Sequence, residues 1–263
     1  MNPENNNSNP LSFSGPEAVN HLKSSLMPYF DKANLNPYIT KEWKQGIFDL
    51  FGVEIINPPD LEKQNYVLLS NHLSDFDGVI LGLLHPQIKI IAKIGWTSNK
   101  ELMEFLELHY HFSGVYRDFE IDKLYGEEKK AALEHNIAIN RDSFKHLKIK
   151  ESSENHARHL LIFPQGTISD INKNSKERIN PSFARIAAAA KTGIINIFLE
   201  YPAAGGKTRI VCGDPYVIAD RGIDYRQIWL DDIISLQNKL DNVRTPVLSA
   251  KHSNNNNPNE LFF

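Results

Sequence analysis

Residues Val67–Asp77 read VLLSNHLSDFD, and the fold is decided there. An apolar run from Tyr66 to Leu69 stops at Ser70-Asn71-His72, and a second run, Val79 to Leu84, begins just past Asp77. Four to six apolar residues bounded by polar ones predict a buried strand, and Asp75-Phe76-Asp77-Gly78 predicts a turn entering a helix. A histidine presented at the end of a strand, with an acid close by, has the makings of a general base.

Helical geometry limits how the two side chains can meet. Five residues along a regular helix turn the chain by about 500°, which leaves the two side chains about 140° apart. His72 and Asp77 therefore meet only if the histidine lies in the turn and the aspartate in the first helical turn, with Ser74 or Asp75 as N-cap. Asp77 would then accept from one ring nitrogen, fix the tautomer and leave the other nitrogen to take a proton. The plainer reading is a polar strand-to-helix turn with a capping aspartate, and the spacing alone does not separate the two.

The composition points to an ordinary globular protein. Hydrophobic residues make up 41% and charged residues 23% of 263 positions, enough for a substantial core. A net charge of -3 gives no basic signature for nucleic acid. The single cysteine, Cys212, excludes an internal disulfide and is expected in the core. The opening MNPENNNSNPLSFSGPE has no positive or apolar region of a secretory signal. No uncharged apolar run approaches the ~18 residues of a transmembrane helix, so a cytoplasmic protein, peripheral on a membrane surface at most, is expected.

Read in order, residues 1–15 and 246–263 are expected to be disordered or flexible tails around one domain at 16–245. Amphipathic helices are expected over 16–30 and 41–51, with a bilayer as the alternative to the core for one apolar face. Strands are expected at Ile88–Ala92, His111–Tyr116, His159–Phe163, Ile194–Tyr201 and Lys207–Cys212. Helices are expected at Ser98–Leu108, Gly126–Lys148, Pro181–Lys191 and Gly222–Leu240. Strands alternating with helices predict a single α/β domain, a mixed central sheet flanked by helices.

Three further stretches bear on the histidine. Phe112–Arg117 (FSGVYR) bends at Gly114 and emerges at an arginine, Phe163–Ser169 (FPQGTIS) stops at proline and glycine, and Ile194–Pro202 (IINIFLEYP) follows an alanine-rich helix. Taken in order from about Val53 to Val217, these stretches and NHLSDFD resemble the glycerolipid acyltransferase family, which includes the 1-acylglycerol-3-phosphate acyltransferases. The resemblance implies a catalytic His72 with Asp77 as its partner. It implies a substrate-binding wall of Asn71, Gly114, Arg117, Phe163, Pro164, Gln165, Gly166 and Thr167, with Arg117 on the acceptor's phosphate. Pro202 falls near the proline of the family's fourth block.

Two positions depart from the family pattern: Gln165 stands where glutamate is usual and Ile168 where arginine is frequent, which puts the acceptor's identity in doubt. Lys173, Lys176 and Arg178 are the cations that could replace the missing charge. The activity implied is transfer of a fatty acyl group from acyl-CoA or acyl-carrier protein to a lysophospholipid hydroxyl, with no cofactor and no metal. The alternatives are a lipid-binding protein that has lost turnover, or transfer to an acceptor without phosphate.

Gly206-Lys207-Thr208 lacks the upstream glycine and the following helix of a phosphate loop. His109 with His111, and His156 with His159, are unaccompanied by any metal-binding motif.

Overall fold

The computed structural model describes residues 45, 48–49, 52–73, 77–85, 87–93, 107, 111–148, 158–166, 179–201, 207–219 and 223–244. The tails, the helix expected over 16–30, all but one residue of that over 98–108 and all but three residues of that over 41–51 lie outside these. Among the described residues, seven strands form one mixed sheet in the order β1-β7-β6-β2-β5-β3-β4. The strands are β1 (Val53–Ile56), β2 (Tyr66–Ser70), β3 (Ile88–Lys93), β4 (Phe112–Val115), β5 (His159–Ile162), β6 (Gly193–Glu200) and β7 (Thr208–Cys212). The helices are α1 (Asp77–Gly82), α2 (Asp118–Ile121), α3 (Gly126–Lys148), α4 (Ser182–Ala190) and α5 (Tyr225–Arg244).

Strand β2 runs parallel to both β5 and β6, β3 joins β5 to β4 in parallel, and the antiparallel pair β6–β7 turns the far edge around. All five residues of β2 are buried, as a parallel strand covered on both faces requires. Alternate side chains serve the two covers. Tyr66 and Leu68 pack with Val79, Ile80 and Leu81 of α1, whereas Val67 and Leu69 pack with Phe183 of α4 and Trp229 and Ile233 of α5. Cys212 is buried in β7, and burial pushes its thiol up to about 12, as a core residue.

Helix α1 lies very close to the sheet. A Cβ added at Gly78 would come within 3.1 Å of the Phe112 ring, so glycine there lets the helix start, and Asp77 with it, sit down on the strands. Two elements fall outside the sequence expectation. Strand β1 is only four residues, VEII, on the sheet edge, and its evidence is its register with β7 rather than any local pattern. Helix α2 is a single turn.

Opposite the carboxyl ends of the parallel strands sits a belt of histidines. His159 opens β5 with its Nε2–H donating to the Leu61 carbonyl at 3.0 Å, and His85 meets its ring edge-on at 4.6 Å. His146 of α3 donates from Nε2 to the Gln87 and His159 carbonyls, both at 3.1 Å. Burial, and then the nearby His85, hold His159 down to about 3; burial holds His146 down to about 4. No donor or acceptor among the described residues reaches the buried Nδ1 of His159, so a proton there would find no acceptor.

This belt makes folding stability acid-sensitive. The unfolded chain takes up these protons near pH 6.5 while the folded chain refuses them, so the stabilisation is complete above pH 6.5 and declines as pH falls toward 4. Urea unfolding at pH 7.5 and pH 5 should show a loss of about 2 kcal/mol for each of the two histidines.

Candidate active site

The carboxyl ends of four parallel strands converge on one region, the place where ligands meet open α/β sheets. Strand β2 delivers Asn71 and His72, β5 delivers Phe163–Gly166, β4 delivers Arg117, and β6 delivers Tyr201.

His72 and Asp77 meet as their spacing requires. Asp77 is the first residue of α1 and His72 lies just past the end of β2, with Nδ1 at 2.9 Å from Asp77 Oδ2. The same carboxylate oxygen accepts the Leu73 backbone N–H at 2.6 Å, and the other, Oδ1, accepts the Tyr201 hydroxyl at 2.6 Å. Asp77 is 0% exposed while the His72 side chain retains 19%. A buried carboxylate of this kind is held by its donors. It keeps Nδ1 as the protonated nitrogen, so Nε2 carries the lone pair. The N-cap expected at Ser74 or Asp75 lies outside the described residues.

The second wall is a turn written into FPQG. Gly166 N–H donates to the Phe163 carbonyl at 3.0 Å, with Pro164 and Gln165 central and Gly166 at φ +66°, a conformation suited to glycine. The Pro164 carbonyl accepts the Asn180 N–H at 2.9 Å, which ties the turn to the approach of α4. The Phe163 ring stacks on the His72 ring at 4.5 Å and an interplanar angle of 26°. Gln165 Oε1 accepts the His72 backbone N–H at 2.5 Å.

Gln165 is 6% exposed and supports the histidine from behind. The departure from glutamate therefore falls on a residue that supports His72, where an amide oxygen accepts as a carboxylate would.

Arg117 joins this wall from β4. Its guanidinium donates to the Gly166 carbonyl at 3.3 Å and to Glu120 Oε1 at 3.3 Å, while Glu120 Oε2 accepts the Arg117 backbone N–H at 3.0 Å. The Asn136 side chain of α3 clamps the preceding residue by bonding both the N–H and the carbonyl of Tyr116. Arg117, Gly166, Gln165, Phe163 and His72 are thus linked contact by contact. Gly114 lies half-buried within β4, its carbonyl accepting from His135 Nε2 at 2.8 Å. Thr167, Ile168, Lys173, Lys176, Arg178 and Pro202 lie outside the described residues.

Asn71, expected against substrate, is placed elsewhere. It is fully buried, and its amide donates to the Leu199 carbonyl at 2.8 Å and accepts the Leu199 N–H at 2.7 Å. Its two hydrogen-bonding ends are spent on β6, so its geometry fits it to hold the His72 turn rather than a ligand. Tyr201 is the residue that spacing did not bring forward. It lies 124 positions from Asp77, and only the pairing of β6 with β2 brings them together. Among the described residues no cluster of three or more His, Cys, Asp or Glu could hold a metal ion.

Asn71→Ala should cost about 2–4 kcal/mol in denaturant unfolding, because both backbone groups of Leu199 lose their buried partner. Gln165→Glu, which keeps an acceptor oxygen, should leave turnover within a few-fold of wild type, whereas Gln165→Leu should lower it about tenfold, measured as kcat.

No curated protein matches the chain. Among solved structures, the 1-acyl-sn-glycerophosphate (LPA) acyltransferase PlsC from Thermotoga maritima is similar in fold, with a TM-score of 0.52 and 13% identity over 86% of this chain and 94% of that one. Residues 52–200, which run from the start of β1 to the end of β6 and contain His72, Asp77, Arg117 and the FPQG turn, match the Acyltransferase family. With more than half of its length matched, the chain belongs to the Acyltransferase family.

Proposed function

We propose that the protein transfers a fatty acyl group from an acyl thioester, carried on coenzyme A or acyl-carrier protein, to the free hydroxyl of a lysophospholipid of the 1-acylglycerol-3-phosphate class. The observation that carries this reading is the 2.9 Å contact of His72 Nδ1 with a fully buried Asp77 at the strand ends where the family match lies. A thioester is already activated, so a positioned base suffices and no enzyme nucleophile is required. The stacked Phe163 ring fixes the plane of the imidazole, and Gln165 fixes the backbone that bears it.

In the reaction, His72 Nε2 takes the proton of the acceptor hydroxyl as its oxygen attacks the thioester carbonyl. The tetrahedral intermediate collapses with cleavage of the carbon–sulfur bond, and the proton passes from the imidazolium to the departing thiolate. Asp77 stabilises the imidazolium while it exists. Arg117, a quarter exposed and anchored to the turn that supports His72, offers its guanidinium to the acceptor's phosphate, whose binding then aligns the hydroxyl. No described helix is long and apolar enough to cross a membrane. Under this reading the protein takes its lipid acceptor at a membrane surface.

Thiol release from acyl-CoA and from acyl-carrier protein, followed with a panel of lysolipid acceptors, tests the proposal. His72→Ala should lower kcat by about 10²–10⁴-fold, and equal turnover by wild type and variant would overturn it. Arg117→Ala should raise KM for lysophosphatidate about tenfold and leave KM for an acceptor without phosphate little changed.

A further inference from the structure

We infer that Tyr201 is a positioning residue for the reaction, setting both the orientation and the charge of Asp77 and through it the basicity of His72. The inference rests on the reading of His72 as the base. Asp77 is faced from two sides: the β2 turn supplies the His72 ring and the Leu73 N–H, both to Oδ2, and β6 supplies the Tyr201 hydroxyl to Oδ1. The two bonds to Oδ2 hold one edge of the carboxylate and the Tyr201 bond to Oδ1 holds the other, so the phenol stiffens the carboxylate plane and the direction from which Nδ1–H is held.

The phenol also acts on charge. A hydroxyl donating at 2.6 Å to a carboxylate draws negative charge toward Oδ1 and away from the oxygen that faces the imidazole. Less counter-charge at Oδ2 means less stabilisation of the imidazolium, so the phenol sets how strongly Asp77 backs the charged form of His72. Placement supports the assignment. Tyr201 follows directly on β6, whose parallel pairing with β2 carries through Ile197 opposite Ser70, and Asn71 extends that union to Leu199. The phenol is therefore held by the same strands that hold the histidine, and its ring packs on the core cluster that also receives Phe163.

The test is the pH profile of kcat/KM for wild type, Tyr201→Phe, and protein carrying 3-fluorotyrosine at position 201, with His72→Ala as reference. Phenylalanine keeps the ring and its packing and removes only the donor. The expected result is a fall of about tenfold in kcat. The acid limb should move up by about half a pH unit or more, with KM for both substrates held within about twofold. Fluorotyrosine, a stronger donor of nearly the same size, should move the acid limb the other way. Unchanged rate and unchanged acid limb in Tyr201→Phe would overturn the inference. Should that variant fail to fold, an acid limb unmoved by fluorotyrosine would overturn it equally. If wild type consumes no thioester, or His72→Ala is as active as wild type, the reading of His72 fails first. If His72 behaves as expected and Tyr201 does not, the inference alone fails.

Discussion

A carboxylate shut away from water must be surrounded by donors, and much of this site follows from how that demand is met at Asp77. Its oxygens take the Leu73 N–H, the His72 ring and the Tyr201 hydroxyl, so one buried charge gathers a turn, a strand end and a distant phenol around itself. Removing any partner would leave the others around a poorly compensated charge in a region of low dielectric, where such omissions are costly. The fold must therefore bring β2, α1 and β6 together accurately before the site exists, and the common core shared by Leu68, Val79, Ile80 and Ile195 does so.

The sheet keeps its two ends chemically apart. At the carboxyl ends of the parallel strands stands a histidine about one-fifth exposed, with an acid behind it. At the opposite ends stand histidines whose burial suppresses protonation. The same side chain thus takes the role proposed for a base at one pole and serves cohesion at the other. What separates the roles is the partner: His72 meets a carboxylate, while His146 and His159 meet backbone carbonyls, which can accept one proton but offer no counter-charge to a second.

Much of the architecture was legible because its elements carry local signals. The run before His72 reads as a buried strand, and it is one. The pattern from Gly126 to Lys148 reads as a helix, and the helix has those bounds, with acids in its first turn and bases in its last. FPQG reads as a strand stopping at proline and glycine, and it does stop there, in a turn closed by Gly166 on Phe163. Short edge elements were not legible, since four residues of β1 hold too little periodicity to register. Within the site, the His72–Asp77 spacing suggested a meeting that the fold makes, but the tasks of Asn71, Gln165 and Tyr201 depend on side-chain direction and on strands far apart in sequence. Adjacency to a histidine suggests contact with a ligand; only the packed sheet reveals a bond to a neighbouring strand.

Asn71 carries a consequence for what the chain can tolerate. By meeting the N–H and carbonyl of Leu199 together, its side chain imitates a peptide group and adds a surrogate rung after the main chain has left the ladder. The backbone can thereby veer toward the cleft one step early without orphaning its neighbour. Few residues can act as such a stand-in: aspartate has the length but not the donor, glutamine has both groups but one methylene too many, and serine reaches neither. A position that looks like part of the chemistry is thus restricted by the shape of an amide, and the freedom of His72 to face outward depends on that imitation.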